Sequence, residues 1–325
     1  MTPDPPHSDA PHSTAPHPAV PGAEATTVPR PFGRALCAMV TPFTAAGELD
    51  LAGARALAAL LVAEGCDGLV LSGTTGESAT TTDAEKTALV RAVCAEVGDR
   101  AAVLAGVGSA DTRHTLALAR EAERAGAHGL LVVAPYYSRP PQRDVEAHFL
   151  RIADASGVPL MLYDIPARTG TRIEPGTLLR LAAHPRVVAV KDCAYDLFSS
   201  SKVIARTSLA YYSGCEELNL PLYAVGGAGF VSTVANAALR PLRAVLDAYD
   251  TGARAESLRL HQAALPLVES MMGAGLPGTV TAKALLGALG RPAGPVREPL
   301  RPAGRETADG LLRAYAELTA AARAV

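Results

Sequence analysis

Short runs of wholly apolar residues recur along the chain, separated by stretches whose apolar positions repeat every three to four residues. The runs fall at 36–40, 68–71, 102–105, 130–133, 160–162, 187–190, 209–212 and 229–231. Strands that are buried on both faces read as continuous apolar runs of this kind, because helices cover both sides of a parallel sheet. The stretches between them, such as 84–97, 112–125 and 144–155, are amphipathic and rich in Ala, Leu and Arg, as packed surface helices are. Eight strand–helix units in roughly 200 residues predict a (β/α)8 TIM barrel of the α/β class. A doubly wound sheet is the alternative, since the number of strands does not prove closure. After the eighth run, helical patterns at 240–250, 253–272, 279–289 and 307–322 predict a C-terminal helical region packed on the barrel. The expected organisation is a tail over 1–30, a barrel over 31–238 and the helical region over 239–325.

The tail changes the picture least. Residues 1–30 hold eight of the 25 prolines and three of the eight histidines (His7, His12, His17), with almost no large apolar side chains. Such a segment buries too little surface to fold, and disorder is expected. It lacks the basic start and apolar stretch of a signal peptide. Formal net charge is −2, which argues against nucleic-acid binding. No apolar run reaches the ~18 residues of a membrane span. Five widely spaced cysteines fit neither a disulfide scaffold nor a zinc ribbon. Reduced thiols in a cytoplasmic protein are expected.

Composition matters more for lysine. Of 30 basic residues only four are Lys: Lys86, Lys191, Lys202 and Lys283. In a barrel, chemistry sits at the C-terminal ends of the strands, and Lys191 directly follows the sixth apolar run. Strand alternation puts Lys191 and Ala189 on one face, Val188 and Val190 on the other. Apolar surroundings favour a neutral amine, the nucleophile of Schiff-base lysines. The plainer alternative is a lysine paired with Asp192 or reaching the rim. Lys86 and Lys202 fall in helical patterns and are expected to be solvated. Lys283 lies in a C-terminal helix, away from any strand end.

Other strand ends supply complementary groups. The Gly73-Thr74-Thr75-Gly76-Glu77-Ser78 loop offers backbone N–H groups and hydroxyls that suit a small carboxylate, or it is an ordinary Gly-rich turn. Tyr163 and Tyr137 have phenols that can move protons, or they pack at the rim. Arg168 has a fork that suits a carboxylate, or it is a solvated loop residue. Together these groups describe a 2-keto-acid aldolase needing neither metal nor coenzyme. No His/Glu metal spacing and no dinucleotide fingerprint compete with that reading.

The strings Met39-Val40-Thr41-Pro42-Phe43, Gly73 to Ser78, Pro135-Tyr136-Tyr137-Ser138-Arg139-Pro140, Leu162-Tyr163-Asp164-Ile165-Pro166, Arg168-Thr169-Gly170 and Val190-Lys191-Asp192 carry a family resemblance. From about Gly33 to Ala320 the chain resembles the dihydrodipicolinate synthase / N-acetylneuraminate lyase family of class I aldolases. The resemblance implies a barrel with a C-terminal helical region, assembled as a homotetramer, a dimer of dimers. It implies that Lys191 forms an imine with pyruvate, whose enamine attacks L-aspartate 4-semialdehyde. Thr75, Tyr163 and Tyr137 match its proton relay, with Tyr137 reaching into a neighbouring subunit. Thr74 and Thr75 match the pyruvate-carboxylate site, Arg168 the clamp on the aldehyde's carboxylate, and Gly214 and Val231 the pocket lining. Thr74-Thr75 and Arg168 favour the synthase branch over the sialic-acid lyases.

Two departures stand out. The family often has Ser-Gly-Asp-Asp after strand seven, where this chain has Ser213-Gly214-Cys215-Glu216. That keeps open a paralogous pyruvate-dependent aldolase for a sugar-acid or aromatic aldehyde. A non-catalytic binder is the further alternative, against which the Lys191, Tyr163 and Thr75 set argues. Lysine-inhibited members place Asn and Glu where this chain has Ala110 and His114, so weak lysine feedback is expected.

Overall fold

The computed structural model describes residues 28–273 and 275–323; the expected disorder of the tail falls mainly on residues outside these. Eight parallel strands close into a barrel in sequence order: β1 (Ala35–Ala38), β2 (Gly68–Leu71), β3 (Ala102–Gly106), β4 (Gly129–Val133), β5 (Leu160–Asp164), β6 (Val187–Asp192), β7 (Ala210–Ser213) and β8 (Gly229–Ser232). Pairing of β1 with both β2 and β8 closes the ring, so the barrel holds and the doubly wound alternative falls.

The first four crossover helices are α1 (Leu51–Ala63), α2 (Asp83–Val97), α3 (Thr112–Arg124) and α4 (Gln142–Ala155). Their starts are written locally. Asp50 and Asp111 cap α1 and α3, and Thr82 with Glu85 forms a reciprocal capping box on α2. Beyond β5 the connections are shorter: α5 (Pro166–Thr169) and α6 (Pro175–Leu181), α7 (Leu197–Ile204) after β6, and α8 (Asn219–Ala224) after β7.

Two apolar layers result from strand alternation. Leu36, Val70, Leu104, Leu131, Met161 and Ala189 fill the barrel interior. Leu69, Val103, Leu130, Leu162 and Val190 face the helices. Val188 departs from the expected alternation. A register irregularity between β5 and β6 pairs Leu160 with Val187 and Met161 with Ala189, and Val188 packs against the interior. The bulge leaves Ala189 and Lys191 pointing inwards together.

The C-terminal helices are α9 (Ala235–Asp250), α10 (Arg254–Val268), α11 (Gly278–Ala288) and α12 (Arg305–Arg323), with a π-helical turn at Glu269–Gly273. α9 packs on β1 and β8 and against α10, α11 and α12. It begins five residues before the expected 240, crosses the expected 238/239 boundary, and bends at Ala238 just before Pro241. At the opposite end of the barrel, Arg30 reaches Tyr223 and Asp250, so contacts to the barrel begin before the expected start at residue 31.

Candidate active site

Parallel register sets three side chains in a row at the C-terminal end of the barrel: Tyr163 on β5 opposite Lys191 on β6, and Lys191 opposite Tyr212 on β7. Lys191 is only 5% exposed. Its ammonium lies 4.5 Å from the centre of the Tyr163 ring. The small Ala189 side chain lies one pleat below, in the same interior cluster as Val231 of β8. Tyr212 turns its hydroxyl away, donating to the Gly33 carbonyl at 2.9 Å.

Gly214 leaves room for this lysine. A Cβ at Gly214 would stand 2.8 Å from Lys191 Cε and 2.4 Å from Cys193 Sγ. Any larger residue there displaces the amine's stem.

The threonine loop after β2 is held in an uncommon backbone shape. Ser72 and Glu77 both have left-handed φ, +52° and +56°. Thr41 from the β1 loop donates to the Gly76 carbonyl at 2.6 Å. Thr75 is buried, and its hydroxyl pairs with that of Thr233 at 2.8 Å. Thr233 is fixed in turn by Glu216, whose Oε1 accepts the backbone N–H groups of Thr233 (2.7 Å) and Val234 (3.1 Å) and the Ser232 hydroxyl (2.8 Å). Thr74 is exposed to the cleft, and its hydroxyl holds down the rise of the Tyr163 phenol. Of the two loop hydroxyls, that of Thr74 acts on the Tyr163 phenol, whereas that of Thr75 pairs with Thr233. Two adjacent threonines are chemically identical in sequence, and only the turn separates their directions.

The mouth of the barrel opens into a cleft of about 560 Å³ lined by Thr74, Tyr136, Tyr163, Arg168, Pro277 and Leu300 among others. Arg168 stands at the end of the short α5, exposed to this cleft and without an ion-pair partner among the described residues. Burial pushes the Tyr163 phenol well above its ordinary range, with Cys193 adding to the rise while Thr74 and Arg168 oppose it. It is therefore a protonated donor throughout neutral pH. Tyr137 does not join this group. It is 95% exposed, with a left-handed φ of +71°.

Sequence reasoning missed two features. Glu216 is a buried carboxylate organising the β8–α9 turn, although it reads as an ordinary acidic loop residue. Lys283 is buried and ion-paired with Glu77 at 2.6 Å. Lys86, expected to be solvated, is half-buried and donates to the Thr81 carbonyl. On the outer side of β5 and β6, Asp164 and Asp192 stand in register, near Tyr211 and Arg172. Burial, with Asp192 adding, pushes the Asp164 carboxyl up to about 7, although an N–H from Ile173 opposes the rise.

A closed (β/α)8 barrel with one lysine amine, a hydroxyl loop and an arginine around its C-terminal mouth has the make-up of an imine-forming lyase. The chain belongs to the dihydrodipicolinate synthetase family, whose family model matches residues 31–317. It is 72% identical over 290 residues to 4-hydroxy-tetrahydrodipicolinate synthase 1 of Streptomyces coelicolor, covering 89% of this chain and 95% of the relative. It is 55% identical over 293 residues to 4-hydroxy-tetrahydrodipicolinate synthase of Acidothermus cellulolyticus, covering 90% and 94%. Among solved structures it is similar to the DHDPS of Cyanidioschyzon merolae with lysine bound (TM-score 0.86, 36% identity, covering 90% and 99%).

Proposed function

We infer that this chain is a lyase that condenses pyruvate with L-aspartate 4-semialdehyde to 4-hydroxy-tetrahydrodipicolinate, a step of lysine and diaminopimelate biosynthesis. The observation that carries this reading is Lys191, buried on an inward strand position against Tyr163. The relatives that share the chain's full barrel bear this activity in their names, which disfavours a sugar-acid or aromatic aldehyde as acceptor.

In this reading the Lys191 amine adds to C2 of pyruvate, and loss of water gives the imine. Loss of a proton from C3 gives the enamine, which attacks the aldehyde carbon of the semialdehyde. The semialdehyde's own amine then displaces Lys191 as the ring closes. No metal or coenzyme is required, because the lysine itself acts as the electron sink. The Thr75 hydroxyl and the loop's N–H groups hold the pyruvate carboxylate, with Gly214 and Val231 bounding the pocket. Tyr163 and Thr74 pass the protons of imine formation, and Arg168 pairs with the semialdehyde's carboxylate.

Tyr137 is exposed in its own subunit, and we assign it to the relay of a neighbouring copy. The assembly is then at least a dimer, and a homotetramer built as a dimer of dimers is the proposed state. Five free thiols suit a reducing cytoplasm. No helix among the described residues is long and apolar enough to cross a membrane.

The test is to incubate the chain with pyruvate and borohydride and locate the adduct by peptide mass. A single reduced pyruvate adduct on Lys191 is expected. Its absence would overturn the reading. Turnover with aspartate semialdehyde against sugar-derived aldehydes then checks the acceptor.

A further inference from the structure

The loop that carries Thr74 and Thr75 ends at Glu77, a buried residue that no step of the proposed reaction uses. Glu77 has a left-handed φ of +56°, a conformation that a non-glycine residue keeps only when its surroundings dictate it. Its carboxylate lies 2.6 Å from Lys283 Nζ of α11, and the two side chains are 2% and 3% exposed. The second carboxylate oxygen accepts the backbone N–H of Arg297 at 2.8 Å.

Lys283 is itself fixed from two further sides. It donates to the Pro295 carbonyl at 2.7 Å, and its ammonium lies 4.2 Å from the centre of the Phe43 ring. The Arg297 guanidinium also lies against Phe43, at 4.1 Å. One turn earlier on α11, the Thr279 hydroxyl donates to the Thr74 carbonyl at 3.4 Å. The C-terminal region thus grips the threonine loop at both Thr74 and Glu77.

A buried ion pair adds little net stability over an apolar pair of the same shape, since both charges must leave water. What this one supplies is direction. We propose that Lys283 is a positioning residue: by pinning Glu77 it sets the angle of the Thr74–Thr75 turn, so that pyruvate affinity depends on α11 although Lys283 touches no reactant. This rests on the proposed function, in which that turn receives the pyruvate carboxylate.

The test uses the full chain, Lys283→Met and the double variant Glu77→Met/Lys283→Met. The double variant replaces the ion pair with an apolar pair of similar length and avoids stranding a buried charge. Three readouts are taken: the pyruvate concentration giving half-maximal borohydride trapping on Lys191, KM for the aldehyde at saturating pyruvate, and the melting curve. Both variants are expected to need about tenfold more pyruvate or greater, with the aldehyde KM within about twofold of wild type. The double variant is expected to melt near the wild-type temperature, so it decides the matter if the single variant does not fold. A folded double variant with unchanged pyruvate half-saturation, or with both KM values raised equally, would overturn the tie. Failure of the wild-type chain to trap pyruvate at all would instead overturn the function and leave the pinning of the loop unaddressed by chemistry; exchange of the Thr74–Ser78 amides, expected to be faster in the double variant, then decides it, and unchanged exchange rejects it.

Discussion

Lys191 Nζ lies 4.5 Å from the centre of the Tyr163 ring, and the two residues are register partners on adjacent parallel strands. That relationship fixes the amine over the phenol's own strand, so proton transfer at the C2 oxygen or at C3 of a bound keto acid has a phenol close by. Lys191→Arg keeps a cation but cannot form an imine. It should fold normally, lose at least about a thousandfold in kcat, and show no pyruvate adduct by mass. Tyr163→Phe should lose about 10²- to 10⁴-fold in kcat and yet still trap pyruvate on Lys191, only slowly. Rapid trapping in Tyr163→Phe would remove the phenol from imine formation.

The two neighbouring threonines should separate by kinetics. Thr74 acts on the Tyr163 phenol, whereas Thr75 is buried and pairs with Thr233. Valine keeps the shape of threonine and removes the hydroxyl. Thr74→Val should lower kcat by roughly 10²-fold with a modest change in KM. Thr75→Val leaves the Thr233 hydroxyl without its partner and should chiefly raise KM for pyruvate. Steady-state kinetics at varied pyruvate distinguishes them, and the opposite split would return the relay role to Thr75.

How far this was legible in the sequence depends on how local each signal is. The eight strands are readable because both faces of a parallel strand are buried, so apolar runs mark them. Their ends are less readable. β5 and β6 continue through Asp164 and Asp192, whose carboxylates look like loop residues until the helices behind the barrel cover them. The bend of α9 at Ala238, shortly before Pro241, interrupts its first turn, so the helical pattern reads as starting only at 240. Lys191 was legible, because it directly follows an apolar run in a chain with few lysines. Lys283 was not. Its partner Glu77 is distant in the chain, and a buried ion pair across a fold leaves no mark on either local pattern.

Gly214→Ala adds a methyl group where no space exists. Its Cβ would meet Cys193 Sγ at 2.4 Å and Lys191 Cε at 2.8 Å. Overpacking of this kind costs about 1–3 kcal/mol. The nearest contacts include Lys191, so activity should fall much further than stability. Thermal melting and kcat measured on one preparation check this, and a stable, fully active variant would show that the β7 loop gives way freely.

Feedback by lysine should be weak. At the two positions where lysine-inhibited family members carry Asn and Glu, this chain has Ala110, which offers no side-chain polar group, and His114, already hydrogen-bonded to Asp83 at 2.9 Å. An effector's ammonium would find no carboxylate at position 114. Rates of the purified enzyme across a lysine titration check this, and strong inhibition below about 1 mM, a typical substrate-level concentration, would refute it.

Asp164 gives the chain a pH-dependent stability of predictable sign. Burial and the facing Asp192 push its carboxyl up to about 7 in the folded state. In the unfolded chain an aspartate titrates near about 4. Between those two values the folded state keeps a proton that the unfolded state has released. The Asp164 contribution is therefore fully present below about pH 4, falls as pH rises, and is lost once pH passes about 7. Asn resembles the protonated acid, and its side-chain oxygen can still accept the Ile173 N–H that Asp164 now accepts at 3.0 Å. Asp164→Asn should accordingly match the wild type near pH 4 and exceed it near pH 8, by at most a few kcal/mol. Melting temperatures of both proteins across that range decide the matter. A difference that does not change with pH would mean that Asp164 is already ionised when folded, held by Arg172 and its N–H partner despite its burial.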